Sequence, residues 1–185
     1  MAYIWHGVVS FATEGLARSF VEHFDRSMFK LPHAGACELR LGVEKNESGW
    51  EVLVCPYVDP EGPDGVSHGG PWHLNGHGGA NTPEEVEDID ACAEVFYARL
   101  GRVPSQGYRF ALTGFEVGDW RSAGQLLDDL SPDGLYDEHR KQGFKTWDGL
   151  VVSQWLWWAA ERPDGFVRFG ADYFWIPFSS IAKSQ

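Results

Sequence analysis

Runs of hydrophobic residues with two different periods divide the chain into strands and helices. Residues 3–11 (YIWHGVVSF) are rich in β-branched and aromatic types, which predicts a first strand. Residues 37–43 alternate between apolar and charged positions, and residues 50–58 form a stronger hydrophobic run. The polar turn EKNESG separates these two segments, so they predict an antiparallel hairpin. Residues 108–117 predict a further strand.

Apolar residues four positions apart predict the first helix. Thr13 is its expected N-cap, and the helix is expected to run to about Lys30. Its buried stripe would consist of Leu16, Phe20, Phe24 and Met28.

The second helix, over residues 82–100, has the clearest local signal. Thr82 is the expected N-cap, Pro83 takes the first helical position, and Glu85 completes a capping box. Gly101 is expected to end the helix. Its buried stripe would consist of Val86, Ile89, Ala93, Phe96 and Leu100.

The remaining segments predict shorter elements. Residues 121–130 predict a helix, residues 131–134 a turn and residues 135–142 a helical turn. The run LVVSQWLWW is compatible with one buried strand, but the helix formers that follow it favour a strand that ends near Val152 and a short helix capped by Ser153. The final FVRFGADYFWIPF predicts a strand or an extended segment.

This mixture of strands and helices predicts an α+β fold with a central, largely antiparallel sheet packed by helices. A length of 185 residues suits one domain over residues 1–185 with a sizeable core. Residues 59–81 form a long loop rich in glycine, proline and histidine. A loop of this length is expected to be either functional or mobile.

The net charge of the chain disfavours some classes of function. The formal net charge of −12 disfavours direct binding to nucleic acid or to an anionic membrane, and it suits a cationic partner. The N-terminal residues do not resemble a signal peptide, and no apolar run is long enough for a membrane span, so we expect a cytoplasmic protein. Cys37, Cys55 and Cys92 lack metal-binding spacing and are expected to be reduced, buried thiols.

One enzymatic alternative stays open. His68, His73 and His77 lie close together in the Gly-rich loop and could gather a metal ion in a small metal-dependent enzyme. The HExxH pattern is absent, however, and zinc sites in loops more often contain closely spaced cysteines. Exposed histidines on a mobile loop are the simpler interpretation. We therefore expect no catalytic residue and no cofactor.

Two acidic segments contain no basic residue. The first opens the helix over residues 82–100 and extends to Glu94, and the second runs from Asp128 to Glu138. Helix capping and solubility can explain each one, but together with the many aromatic residues they also fit a surface that binds a basic protein. An adaptor with another basic partner fits the same charges. The predicted partner-binding residues are Glu84, Glu85, Glu87, Asp88, Asp128, Asp129, Asp133, Asp137, Trp72 and Trp120.

The stretch Phe144–Phe178 holds five of the nine tryptophans. Within it, the segments GLVVSQWLW (149–157) and RFGADYFWIP (168–177) resemble bacterial polymorphic-toxin immunity proteins, most closely the immunity protein 52 family. The match covers the C-terminal part of the chain. Because these motifs are aromatic, we expect them to mark the core of the fold, with Trp155 and Trp175 essential for folding.

The resemblance implies a small cytoplasmic protein that binds and neutralises one cognate toxin by protein–protein binding. Members of the family accompany toxins of restriction-endonuclease type, often delivered by contact-dependent or type VI secretion. A nuclease presents a basic cleft to its substrate, so the carboxylates of an acidic inhibitor could take the place of phosphates.

Overall fold

A computed structural model describes residues 3–58, 70–71, 73–74, 82–103, 107–115, 122–144 and 146–178. The strands in these ranges are β1 (Tyr3–Phe11), β2 (Phe29–Leu31), β3 (Gly35–Asn46), β4 (Gly49–Val58), β5 (Gly70–Pro71), β6 (His73–Leu74), β7 (Tyr108–Phe115), β8 (Val151–Ser153), β9 (Val167–Arg168) and β10 (Tyr173–Trp175). The helices are α1 (Glu14–His23), α2 (Pro83–Leu100), α3 (Ala123–Leu130), α4 (Leu135–Lys141) and α5 (Gln154–Ala159).

The strands form one antiparallel sheet around β1. Their order is β2-β3-β4-β1-β7-β8-β10-β9, with β5 added to β4 and β6 added to β1. The predicted hairpin is present as β3 and β4, paired from Cys37 opposite Val58 to Asn46 opposite Gly49. The predicted α+β class with a largely antiparallel sheet is confirmed.

The centre of the sheet is buried on both faces. In β1, Val9 and Phe11 belong to one hydrophobic cluster and Val8 to the other. The neighbouring β7 alternates in the same way, with Ala111 in the first cluster and Phe110 in the second. Because successive side chains of a strand point to opposite faces, the central strands need apolar residues at both odd and even positions. This requirement explains their continuous hydrophobic runs.

Helices α1 and α2 cover the first face. The buried stripe predicted for α2 is confirmed, since all five of its members are buried: Val86, Ile89, Ala93, Phe96 and Leu100. Three predicted N-caps are also confirmed, because each hydroxyl accepts a backbone N–H three residues further on: Thr13, Thr82 and Ser153.

Helix α1 ends earlier than its pattern predicts. It stops at His23, and Phe24 already has an extended backbone, with φ −73° and ψ 129°. Phe20 and Phe24 are buried as expected, whereas Leu16 and Met28 are 36% and 52% exposed. The prediction of a helix to Lys30 is therefore wrong, as is the assignment of Leu16 and Met28 to the core.

A distant side chain explains this early end. The guanidinium of Arg99, in the last turn of α2, donates hydrogen bonds to the carbonyl oxygens of Asp25 at 3.0 Å and Ser27 at 2.8 Å. These bonds hold residues 25–27, which have no regular secondary structure, and the chain then enters β2. There the backbone pairs with β3 instead of continuing a helix.

Helices α3, α4 and α5 form a layer on the second face of the sheet. Their buried side chains belong to one cluster that also contains Val8 and Phe110: Leu126, Leu130, Tyr136, Leu156 and Ala160. A capping box at Ser122 and Gln125 begins α3. The predicted short helix after Val152 is confirmed as α5.

The aromatic stretch contributes only part of its residues to the core. Trp147 is 2% exposed, and Trp175 is partly buried, with its ring centroid 5.6 Å from that of Tyr97. Trp155 and Trp158, by contrast, are 65% and 54% exposed. The assignment of Trp155 to the core is therefore wrong. Helix α5 directs Leu156 and Ala160 inward, and this places Trp155 on its outer side.

The C-terminal segment folds back on itself rather than forming one strand. β9 and β10 pair as an antiparallel hairpin, with Phe174 opposite Arg168 and Trp175 opposite Val167. Gly170 lies between them at φ +77°, in the left-handed region that favours glycine. β10 also pairs with β8, so the hairpin extends the sheet at that edge.

The three cysteines are free, as predicted. Cys37 of β3 and Cys92 of α2 are buried in the first cluster, and the thiol of Cys37 donates to the carbonyl of Glu38 at 3.6 Å. Cys55 is only half-buried, so its predicted burial is wrong. No helix within the described ranges combines the length and hydrophobicity that a membrane span requires.

Candidate functional site

The outer side of α2 carries the first acidic segment. Glu84, Glu87 and Glu94 are exposed, and their spacing places them on one side of the helix, which we call the α2 acidic face. A hydrogen bond from its own backbone N–H and the Thr82 hydroxyl lower the pKa of Glu84. The only basic residue in α2, Arg99, is buried, so this face presents carboxylates without a cation from the helix itself.

Two other predicted contacts in this segment serve the fold. Asp88 is 3% exposed, and its two carboxylate oxygens accept the backbone N–H groups of His33 and Ala34, both at 2.9 Å. Glu85 accepts the N–H of Thr82 at 3.3 Å in the capping box. Asp88 therefore holds the β2–β3 turn against α2, and its role as a partner contact stays a prediction that its burial disfavours.

Glu87 also has a partner within the chain. The Nε2 atom of His33 lies 2.7 Å from its Oε2, with both side chains about half exposed. The hydrogen bond to Glu87, together with the negative charges of Glu87, Asp88 and Glu84, raises the pKa of His33 above its ordinary value of 6.5. Protonated His33 therefore partly neutralises the α2 acidic face at low pH.

The pair of His33 and Glu87 is expected to stabilise the fold more at low pH than at high pH. The pKa of His33 is raised in the folded chain, so the stabilisation is fully present below the unfolded value near 6.5 and is lost as pH rises through the folded value. Solvent screening should keep the effect small. Unfolding of the wild type and of Glu87→Gln, measured from about pH 5 to about pH 9, should give a stability difference that shrinks as pH rises.

NMR titration of the His33 ring provides the matching control. In Glu87→Gln the pKa of His33 should fall towards 6.5, because the carboxylate that raises it has been removed. An identical pKa in the two proteins would contradict this account of the pair.

The second acidic segment, Asp128–Glu138, spans the end of α3 and the start of α4. Asp128, Asp133 and Glu138 are exposed, while Asp129 and Asp137 are half-buried. Asp137 and Glu138 lie in the first turn of α4, where the helix dipole favours negative charge.

Asp128 and Asp129 lie at the opposite end of their helix from the acidic residues of α4. They lie in the last turn of α3, which contains no basic residue. The helix dipole disfavours carboxylates at this end. Helix stability therefore accounts for the acidic residues in the first turns of α2 and α4 but not for those at the end of α3.

Positive charges follow the acidic segment directly in α4. Arg140 and Lys141 of α4 line a cavity of about 380 Å³ together with Asp137 and Asp164. The guanidinium of Arg140 lies 3.5 Å from the carboxylate of Asp164. This cavity combines both signs of charge, so it has no clear preference for an anion or a cation.

The sheet separates the two acidic segments. Helix α2 packs on the face that presents Val9 and Phe11, whereas α3 and α4 pack on the face that presents Val8. A single partner could contact both segments only by reaching around an edge of the sheet. The segments therefore form two surfaces rather than one.

Several predicted site residues lie outside the described ranges. Trp72 and Trp120 are among them, as are His68 and His77 and most of the 59–81 loop. His73 lies in β6, where its backbone pairs with Ile4. Across the described ranges, no cluster of three or more His, Cys, Asp or Glu side chains could hold a metal ion. The metal-enzyme alternative stays a prediction, and elemental analysis of the purified protein tests it.

A second cavity, of about 250 Å³, lies between the end of α2 and the β9–β10 hairpin. The rings of Tyr108 and Tyr173 line it and stack at 3.9 Å between centroids, and Phe169, Arg102 and Asp172 also contribute to its walls. Burial raises the pKa of the Tyr108 hydroxyl, so this phenol stays neutral. The volume is below the roughly 300 Å³ at which small-molecule sites begin.

The sequence interpretation missed the exposed tryptophans of α5. Trp155 and Trp158 lie three positions apart, which makes them neighbours on the surface of a helix. The sequence of this segment is apolar on every side and does not show which side of the helix faces the sheet. The burial of Leu156 and Ala160 in the structure places Trp155 and Trp158 on the outer side.

A scan against protein-family models found no match, and searches of curated proteins and of solved structures found no match either. These comparisons assign no family to the chain. The resemblance of residues 149–157 and 168–177 to immunity proteins therefore stays a prediction.

Proposed function

We propose that the chain is an immunity protein, which binds one cognate bacterial toxin in the cytoplasm and neutralises it by protein–protein binding. The observation that carries this proposal is the display of exposed carboxylates on helices at both faces of the sheet. The net charge of −12 adds a long-range attraction for a basic protein. Catalytic side chains are not required for this function.

The proposed partner is a basic toxin domain. The resemblance to immunity proteins favours a nuclease, delivered by type VI or contact-dependent secretion. A nuclease binds the phosphates of its substrate through cationic groups. Carboxylates held on helices can pair with the same groups, so they would compete with the substrate. Charge complementarity of this kind mainly accelerates association and selects the partner.

Reversing exposed charges on both faces should abolish protection without unfolding the protein. The variant combines Glu84→Lys, Glu94→Lys, Asp128→Lys and Glu138→Lys, all at exposed positions. The partner is the toxin-like protein encoded by the neighbouring gene, inactivated for the binding assay. Calorimetry should show affinity reduced by about 100-fold or more, since like charges at an interface cost several kcal/mol. Cells that express the active toxin should no longer be rescued.

The matched control changes the same positions to the neutral Gln or Asn. It should retain an intermediate affinity, with a weaker dependence on salt than the wild type. Full affinity in a folded charge-reversal variant would overturn the proposal. Failure of the wild-type chain to bind or protect against the neighbouring gene product would overturn it as well.

A further inference from the structure

Helix α5 exposes two large aromatic side chains side by side. Trp155 and Trp158 are 65% and 54% exposed, although most of the chain's other large apolar residues in the described ranges are at least half-buried. A single exposed apolar residue is ordinary, but contiguous exposed aromatics usually mark an interaction site. Tryptophan is also among the residues most enriched at the energetic centres of protein interfaces.

The position of this pair is set by the residues between and around it. The ring of Trp157 stacks on Phe174 at 4.0 Å with an interplanar angle of 15°, and its Nε1–H donates to the carbonyl of Pro163 at 3.3 Å. Leu156 is fully buried. These contacts fix α5 against the sheet, so the two exposed rings are held in place before a partner arrives, which lowers the entropy cost of binding.

The same helical layer carries Asp128 and Asp129, which helix stability does not explain. Helices α3, α4 and α5 share one buried cluster on the second face of the sheet. The Tyr136 hydroxyl of α4 donates to the carbonyl of Asp164 in the turn after α5, and Phe166 packs against the Tyr136 ring. Asp128 remains at the unfavourable end of α3 despite its cost to the helix.

The α2 acidic face has neither exposed aromatic side chains nor carboxylates at the unfavourable end of its helix. Its glutamates lie near the favourable N-terminal end of the helix or along its exposed side, and that side also carries the small residues Ala91 and Ala98. No aromatic side chain of α2 is exposed. This face can attract a basic partner at long range but offers little apolar area to bury.

Within the proposed function, we infer that the partner docks on the α3–α5 layer. The docking surface consists of Trp155 and Trp158 together with the carboxylates of Asp128 and Glu138. Its occupant is a basic protein domain whose arginine or lysine side chains stack on the indole rings and pair with the carboxylates. A cation over the face of tryptophan is attracted by the ring itself, and the negative charges of the same layer add to that preference.

The balance of charges selects this occupant over two others, because residues 122–178 contain nine Asp or Glu and five Lys or Arg residues. A second copy of the chain would bring two negatively charged surfaces together, and an anionic lipid surface would repel the same carboxylates. A basic protein satisfies the aromatic and the acidic groups at once.

The first experiment requires no toxin. The full chain is labelled with fluorotryptophan and titrated with an octa-arginine peptide at low salt, and fluorine NMR resonances are assigned with Trp155→Phe, Trp158→Phe and Trp147→Phe. The resonances of Trp155 and Trp158 should shift while that of buried Trp147 does not. Equal shifts at all three, or no shift at the two exposed tryptophans, would overturn the docking surface.

The second experiment compares matched double variants in binding the inactivated product of the neighbouring gene. Trp155→Ala with Trp158→Ala should weaken binding by about 10-fold or more, because interface tryptophans are typical hot spots. Glu84→Gln with Glu94→Gln, on the opposite face, should weaken it less than about 3-fold, because charges outside the interface act only through long-range attraction. Thermal melts establish that both variants are folded.

The outcomes separate this inference from the proposed function. If the wild type binds but the tryptophan variant binds equally well, the docking surface is wrong and the function stands. If the wild type does not bind, the function fails and the peptide titration alone decides the surface. Loss of a dimer in the tryptophan variant, or flotation of the wild type with phosphatidylserine vesicles, would assign the surface to a second copy or a membrane and overturn the inference.

Discussion

Trp147→Ala is expected to destabilise the protein by about 3–5 kcal/mol, whereas Trp155→Ala should change its stability by no more than about 0.5 kcal/mol. Trp147 is 2% exposed, packs edge-on against Tyr136 at 5.8 Å, and donates its Nε1–H to the Nδ1 atom of His139 at 3.2 Å. Its removal would leave a cavity beneath α4. Trp155 is 65% exposed and would leave none.

Chemical denaturation of the two variants beside the wild type checks this prediction, with circular dichroism as the readout because both changes alter tryptophan fluorescence. The two substitutions remove the same side chain from the same aromatic stretch, so each is the control for the other. Equal losses of unfolding free energy would show that the stretch acts as one core, as its sequence suggests.

Arg99→Met should destabilise the fold by about 3 kcal/mol, and residues 24–31 should unfold locally more readily than the rest of the chain. The methionine keeps most of the aliphatic volume but removes the donors to the carbonyls of Asp25 and Ser27. The contact of the guanidinium with the Phe29 ring, 5.1 Å from its centroid, is lost as well. Arg99→Lys should not restore full stability, because one ammonium cannot reproduce the planar fork of donors.

Hydrogen exchange resolves where the Arg99→Met protein opens. Faster exchange is expected in β2 and in the residues of β3 that pair with it, with smaller changes in β7. Arg102→Met is the matched control, since Arg102 is exposed three residues further along and its removal should have little effect on stability. Equal stability of Arg99→Met and the wild type would mean that residues 25–27 keep their position without the guanidinium.

The sequence predicted the elements whose boundaries are set by residues a few positions away. Thr82, Pro83 and Glu85 specify the start of α2 through hydrogen bonds within four residues, and the same holds for Thr13 and Ser153. The end of α1 could not be predicted in this way. Its apolar spacing continues to Met28, but the group that ends the helix is Arg99, which is more than 70 residues away in the chain.

The same distinction between local and distant causes applies to the candidate site. The acidic segments were visible as charges, and Asp128 and Glu138 are exposed as their interpretation requires. Asp88 has the same side chain as Asp128, yet it accepts two backbone N–H groups from the β2–β3 turn. The sequence does not show which carboxylates the fold itself uses, because their partners come from other elements.

The sequence by itself determined the class of the fold, the charge of its surface, and the beginnings of its helices, since these depend on composition and on contacts a few residues apart. Only the tertiary structure decided that the sheet separates the two acidic segments and that Trp155 and Trp158 face outward while Trp147 is buried. The physical reason is that a side chain's exposure depends on which face of its element packs against the sheet. For a six-residue helix such as α5, neighbouring elements decide that orientation.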